Sequence, residues 1–301
     1  AAGWPVRPIR LIVPFAAGGG NDLLARIISQ ELQKKWNQPT LVENRPGAGG
    51  NIGAEHVAKS VADGYTLLLG TNTLAMAPFI SRNIGFDVQK DLAPVAMLTT
   101  TPFMLVVNNA LPVRTVRELI AYARAHPGQL SYATPGIGTP HHLGAELFKN
   151  MSKTFMVHIA YRGSVPAMTD VMTGQVQLMF DALAPHLPHL KSGRTKVLAA
   201  ISPARLPIAP DAPTMTELGF GKVAASIWYG MMAPGGTPRP IITKLATEIV
   251  RLLKAPVVLE RFAVAGLEPM SNTPDEFAAL LTREIPEWHR IAKAANIRVE
   301  Q

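Results

Sequence analysis

Along residues 1–225, short apolar runs alternate with longer stretches in which apolar residues recur every three to four positions. The short runs read as strands over 9–13, 40–44, 66–69, 103–107, 131–134, 157–160, 176–180 and 197–200. Helical spacing stands out where Leu23, Leu24, Ile27, Ile28 and Leu32 fall on one face, and 115–125 repeats it. Strands that alternate with helices predict an α/β fold. Past residue 225 the pattern changes: 226–234 reads as a last strand, and helices alone follow. Thr237-Pro238 places a capping hydroxyl before a first-turn proline. Thr273-Pro274-Asp275-Glu276 has capping-box spacing. No repeat and no low-complexity linker interrupts the chain, so two domains would be joined by strands rather than by a tether.

In open α/β sheets, ligands bind outside the carboxyl ends of the strands. Glycine, hydroxyl and other small residues gather at those ends. The first predicted strand leads into Phe15-Ala16-Ala17-Gly18-Gly19-Gly20-Asn21-Asp22, the third into Gly70-Thr71-Asn72-Thr73, and the fifth into Pro135-Gly136-Ile137-Gly138-Thr139-Pro140-His141-His142. Tyr161-Arg162-Gly163-Ser164 and Asp181 follow two more. Residues 18–22 and 136–140 each open a helix, with Thr139 as N-cap and Pro140 in the first turn. Two helix starts present unpaired N–H groups and the positive ends of two dipoles, a place for a carboxylate that needs no arginine. The Asp22 carboxylate would repel such an anion, so its N–H is the expected contact.

Composition narrows the chemistry. At 301 residues, one large domain or two medium ones are expected. Apolar residues make up 48%, which argues against global disorder. No run of about eighteen apolar residues marks a membrane helix. Cysteine is absent, which excludes disulfides and thiolate chemistry. The net charge is +8, but the basic residues are scattered rather than gathered in a nucleic-acid patch. The excess reads as long-range attraction for small anions. The start, Ala1-Ala2-Gly3-Trp4-Pro5, is what a processing peptidase leaves behind small residues, which supports export.

Catalysis finds little footing. The glycine run lacks the Gly-Lys-Ser/Thr ending of a phosphate loop, and no GxGxxG is present. Ser131 and Ser164 lack a Gly-x-Ser-x-Gly elbow. Adjacent His141 and His142 are not spaced to share a metal on one helix face; a cap or packing role fits them better. His186 and His189 lie in a segment broken by Pro185 and Pro188. Arg162 reads equally as a carboxylate clamp or an ion pair. Tyr161 either closes over a ligand or caps the sheet. Asp181, expected to be exposed at its strand end, either accepts from a ligand or holds a neighbouring loop. No catalytic residue, metal or cofactor is assigned.

Several blocks resemble the Bug-type periplasmic solute-binding receptors of tripartite tricarboxylate transporters, the TctC-like family. They are Trp4-Pro5 with Arg7-Pro8-Ile9, Val13-Pro14-Phe15 with Ala17-Gly18-Gly19 and Asp22, Val42-Glu43-Asn44-Arg45-Pro46-Gly47-Ala48-Gly49-Gly50-Asn51-Ile52-Gly53, and Ala62-Asp63-Gly64-Tyr65-Thr66-Leu67. Further on, Pro135-Gly136 with Gly138-Thr139 and His142-Leu143, Tyr161-Arg162-Gly163, Gly174-Gln175-Val176, Met179-Phe180-Asp181 and Ala233-Pro234 with Gly236-Thr237-Pro238 continue the likeness. The resemblance implies a type II periplasmic binding fold, two α/β lobes with a ligand cleft between them. Lobe 1 would be residues 1–101 with 226–301, and lobe 2 residues 102–225.

It also implies a monomer in the periplasm, its signal peptide removed. That monomer would capture a small mono-, di- or aromatic carboxylate and deliver it to membrane transporter subunits or a sensor. The ligand carboxylate would be held by backbone amides and bridging waters of Phe15, Ala17, Gly18, Gly19 and Asp22, facing Gly136, Gly138, Thr139 and His142. Thr71, Asn72 and Thr73 would lie close by, and Tyr161, Arg162, Gly163 and Asp181 would line the cleft. The distal pocket is expected from loop residues Leu74, Ala75, Met76 and 182–185. Two positions depart from the family pattern: Ala182 follows Asp181 where a polar residue is common, and Asn83-Ile84-Gly85-Phe86-Asp87 replaces Leu-Pro-Tyr-Asp. The alternatives are an enzyme acting on an organic acid through Asp181, His142 or Arg162, and, against the scattered charge, a nucleic-acid binder.

Overall fold

The computed structural model describes residues 3–81, 84–223 and 227–294. Ala1, Ala2, Asn83 and Ser226, on which some of the expectations above rest, lie outside them. The elements run β1 (Ile9–Val13), α1 (Gly20–Trp36), β2 (Thr40–Asn44), α2 (Asn51–Ala58), β3 (Thr66–Thr71), α3 (Thr73–Ile80), β4 (Leu92–Thr101), β5 (Phe103–Asn108), α4 (Val116–Ala125), β6 (Ser131–Thr134) and α5 (Pro140–Ser152). Then come β7 (Val157–Ala160), α6 (Ser164–Thr173), β8 (Leu178–Ala182), α7 (Leu187–Leu190), β9 (Thr195–Ile201), β10 (Ile227–Pro234), α8 (Arg239–Leu252), α9 (Pro256–Val264), β11 (Glu268–Pro269) and α10 (Pro274–Ala294).

They form two sheets, each the centre of an α/β lobe. The first has the order β11-β4-β10-β3-β1-β2, the second β7-β6-β8-β5-β9. Strands β1, β2 and β3 are parallel, and β10 runs antiparallel between β3 and β4. In the second sheet β6 pairs in parallel with β7 and β8, while β5 runs antiparallel between β8 and β9. Only Pro102 separates β4 from β5, so the chain passes between sheets as nearly continuous strand.

Both faces of the sheets are covered, which explains the continuous apolar runs. In β1, Ile9, Leu11 and Val13 point into one cluster with Leu24, Ile28, Leu245 and Ile249. Ile12 points the other way, toward Ala54, Val57 and Phe277, the alternation a pleated strand imposes. Met104 and Val106 of β5 likewise meet Met168 and Val171 of α6, while Phe103, Leu105 and Val107 join the first cluster.

Most expected elements are present. The 176–180 strand is displaced to Leu178–Ala182. Strand β4 was not anticipated, nor was helix α3, whose residues 74–76 were expected in a loop. The region after 234 is not purely helical, because β11 adds a short edge to β4. The capping box forms: Thr273 N–H donates to Glu276 Oε2 at 2.7 Å and Glu276 N–H to Thr273 Oγ1 at 3.2 Å. The Thr237 cap does not. Helix α8 begins at Arg239, and the Thr237 hydroxyl turns back to the Pro234 carbonyl at 2.7 Å.

Helix α10 is anchored by Phe277, which is fully buried and meets Trp228 edge-on at 5.2 Å. The tip of its ring sits against Gly230, where a Cβ would come within 2.4 Å of Cζ. Phe277→Ala should cost about 3–5 kcal/mol, and a urea titration followed by circular dichroism would show it. A midpoint within error of the parent would mean that α10 adds nothing to the first lobe.

Candidate functional site

The carboxyl ends of β1, β3, β6 and β7 each run into a helix start. Between the lobes these starts surround one small cavity of about 30 Å³, lined by Phe15, Gly19, Gly20, Asn21, Thr71, Thr73, Pro135, Pro140, His141, Ser164, Ile227 and Tyr229. Gly20 and Asn21 open α1, Thr73 opens α3, Pro140 and His141 open α5, and Ser164 opens α6. The first-turn N–H groups of a helix have no acceptor within it, and its dipole is positive at that end. Four positive ends thus meet at one place, and the lining carries neither lysine nor arginine.

The glycine loop is shaped by its own helix. Asp22 accepts from Gly18 N–H at 2.9 Å, from Nε and Nη2 of Arg26, and from Asn44 Nδ2 at 3.0 Å. Burial alone would raise the Asp22 carboxyl, but these bonds hold it below its ordinary range. Gly18 has φ +89°, the left-handed region that glycine reaches without strain. Gly20 needs its missing side chain for another reason: a Cβ there would lie 2.5 Å from the Tyr229 hydroxyl.

The lobes meet through backbone. Ala16 N–H donates to the Arg162 carbonyl at 3.0 Å. A Cβ on Gly163 would reach Ala16 Cβ at 2.9 Å, one on Gly136 the Cα of Gly49 at 3.1 Å, and one on Gly138 the Ile80 side chain at 2.5 Å.

Below the cavity lies Asp181, with no exposure at all. Its Oδ1 accepts from His141 Nε2 at 3.0 Å, Ser164 Oγ at 2.9 Å and Ala182 N–H at 2.8 Å; its Oδ2 accepts from His186 Nε2 at 2.9 Å. Burial pushes the carboxyl up, yet the two histidine bonds outweigh it and hold the group well below the ordinary carboxylate range. Tyr229 is pushed far up by burial, with the Asp181 charge adding to it. Ser164, His141 and Asp181 are the residue types of a hydrolytic triad, but the serine and the histidine both donate to the aspartate. No histidine accepts the Ser164 proton, so the hydroxyl is not activated.

The predicted residues divide accordingly. Phe15, Gly19, Thr71 and Thr73 line the cavity. Ala17 and Gly18 are exposed and outside the lining, and the Gly18 amide is taken by Asp22. Asn72 is buried as the N-cap of α3. Gly136, Gly138 and Gly163 serve lobe contact, and Thr139 is the N-cap of α5, accepting from His142 N–H. Arg162 contributes its carbonyl, its side chain being exposed. Tyr161 donates to Asp170 at 2.6 Å and packs into the second lobe. Asp181 is buried, not exposed, because four donors close around it. Leu74, Ala75 and Met76 are not loop residues: they are buried in α3 and face packing partners. Ala182 ends β8, and Ala184, Pro185 and His186 form a short 3₁₀ turn.

His142 is the clearest correction. It turns away from the cavity, accepts from Gly138 N–H at 3.2 Å and stacks on His158 at 4.1 Å, which in turn stacks on Tyr132. Its neighbour His141 takes the place at the cavity. Successive helix residues point about 100° apart, so the two could not share one target. Tyr229 was also missed. It sits in the apolar strand β10, opposite Thr71 in register, and that pairing is invisible in the sequence.

Comparison with known proteins points one way. The family model described as "Tripartite tricarboxylate transporter family receptor" matches residues 24–297. Protein BugT of Bordetella pertussis is 38% identical over 299 residues, 99% of this chain and 92% of that one. Among solved structures, that of the periplasmic binding protein BugD matches at a TM-score of 0.94 and 33% identity, covering 98% of this chain and 99% of that one. MatC of Rhodopseudomonas palustris, with bound malate, matches at 0.91 and 32%, covering 96% and 99%. "R. palustris Rpa4515 with adipate" matches at 0.94 and 35%, covering 98% and 99%.

The stacked histidines make stability depend on pH. Burial, helped by the charge of Lys149, pushes His142 down to about 4. Burial, with His142 next, pushes His158 down to about 3. In the unfolded chain both titrate near about 6.5, so below that pH the unfolded state binds more protons. The stability they contribute is whole above about 6.5 and falls as the pH drops toward 4, by about 1.4 kcal/mol per unit for each group. Urea midpoints measured from pH 7.5 to 4.5 should decline over this range, and His142→Gln should flatten the slope. A flat parent profile would contradict the stack.

Proposed function

The chain belongs to the tripartite tricarboxylate transporter receptor family, and we propose that it captures a small organic acid between its two lobes, the carboxylate held by backbone amides. The observation that carries this is the meeting of four helix starts, α1, α3, α5 and α6, around one cavity whose lining has no lysine or arginine. With neither lysine nor arginine in the lining, main-chain N–H groups and one hydroxyl of the bonded Thr71–Thr73 pair are the donors a carboxylate would meet, the Ser164 proton being given to Asp181. We take residues 1–101 with 226–301 as one lobe and 102–225 as the other. Every described strand of the first sheet falls in the first set and every strand of the second sheet in the second.

Function then follows from closure. A ligand that touches both lobes stabilises the closed state by its differential affinity for it. Backbone contacts at Ala16–Arg162, Gly163 and Gly136–Gly49 make the latch. The loaded receptor, a monomer in the periplasm, would hand its acid to transporter subunits in the membrane or present it to a sensor. Turnover is not part of this proposal, since Ser164 lacks a base and Asp181 has all its contacts filled by donors.

Native mass spectrometry of fresh protein, followed by denaturation, should release an organic acid unchanged, and solution scattering should show a smaller radius of gyration with that acid than without. Gly163→Ala, which drives a methyl group into Ala16 at the lobe contact, should weaken binding at least tenfold and abolish the shrinkage. Conversion of the acid, or an identical scattering profile at saturation, would defeat the proposal.

A further inference from the structure

The inner wall of the cavity carries a chemical preference that the amide clamp does not supply. Two of its residues hold a buried polar atom without a hydrogen-bond partner: His141 at Nδ1 and Asn21 at Oδ1. His141 is 8% exposed and Asn21 4%. A buried polar atom left unpaired costs about 1–3 kcal/mol, and side chains that line a ligand cavity offer an obvious partner.

The donor or acceptor character of both atoms can be deduced. Asp181 is ionised, so it only accepts. His141 Nε2 stands 3.0 Å from it and must therefore carry the proton. In the neutral ring that leaves Nδ1 as a lone pair, an acceptor. The Asn21 amide is oriented by its Nδ2, which donates to the Leu69 carbonyl at 3.3 Å. A flipped amide would set two oxygens against each other, so Oδ1 is an acceptor too. The titratable groups around His141 are Asp181 of β8, His186 of the following turn and Tyr229 of β10. None of them donates to Nδ1.

We infer that His141 and Asn21 determine specificity by accepting a hydrogen bond from the ligand, so that the acid this chain prefers carries a hydroxyl group. This rests on the carboxylate-capture proposal and refines it. The carboxylate meets the helix starts, and the hydroxyl meets the two acceptors. A plain fatty acid leaves both acceptors unpaired. A second carboxylate brings oxygen lone pairs against them and lies close to the Asp181 charge. Sites built to hydrogen-bond a ligand hydroxyl discriminate strongly against analogues that lack it.

The test is isothermal titration calorimetry of the full chain at pH 7.5 with matched four-carbon acids: butyrate, its 2-, 3- and 4-hydroxy derivatives, and succinate. One hydroxybutyrate should bind at least tenfold tighter than both butyrate and succinate. His141→Leu and Asn21→Ala should each bring that ratio toward one; the second leaves every donor to Asp181 in place and so guards against misfolding in the first. Equal affinity for butyrate and its hydroxy derivatives would overturn the inference while leaving carboxylate capture standing. Succinate binding tightest would overturn it as well, by showing His141 to be a donor. Binding of none of the five would count against carboxylate capture itself and take the inference down with it.

Discussion

Asp181 is the group on which the geometry of the cavity depends. A carboxylate without exposure is tolerable only when its charge is met by donors, and here four are supplied from separate parts of the chain. His141 comes from the first turn of α5, Ser164 from the start of α6, His186 from the turn after β8, and the Ala182 amide from β8 itself. Two of the four helix starts that face the cavity are therefore fixed to the same atom. Asp181 has its contacts filled from within the chain and positions two of the groups that line the cavity. On the facing lobe, Asp22 has the equivalent task for the glycine loop and α1, with Asn44 and Arg26 as its partners.

The electrostatics follow from that arrangement. The basic side chains are spread over the surface, and several, such as Arg7, Arg26, Arg239 and Arg290, pair with neighbouring carboxylates. The field that matters at the cavity is short-ranged and comes from oriented peptide groups. Such a field is fixed in advance and needs no side chain to be immobilised, so an anion held there as proposed would cost little conformational entropy.

Much of the fold was legible because strands buried on both faces announce themselves as apolar runs. Strand β4 was not, since Leu92–Thr101 carries Pro94 and three threonines. Its proline sits opposite a register shift against β10, where a ladder bond is already lost. Helix α3 was hidden for the opposite reason: Leu74, Ala75, Met76 and Ala77 are buried on all sides, so no polar face marks a helical period, and Pro78 reads as a break. At the site, the loops were readable from their glycines and caps. The identity of the histidine was not, because residues adjacent in a helix differ by a rotation that depends on the exact first turn. Asp181 was read as exposed because its partners lie 5, 17 and 40 residues away in sequence.

The contact between the lobes is made of main chain and glycine, whereas the proposed preference for one acid over another rests on the side chains of His141 and Asn21. The two are separately mutable. On these proposals a change at the inner wall would alter the cargo and leave closure intact, whereas a side chain at Gly163 or Gly136 would impede closure whatever the cargo.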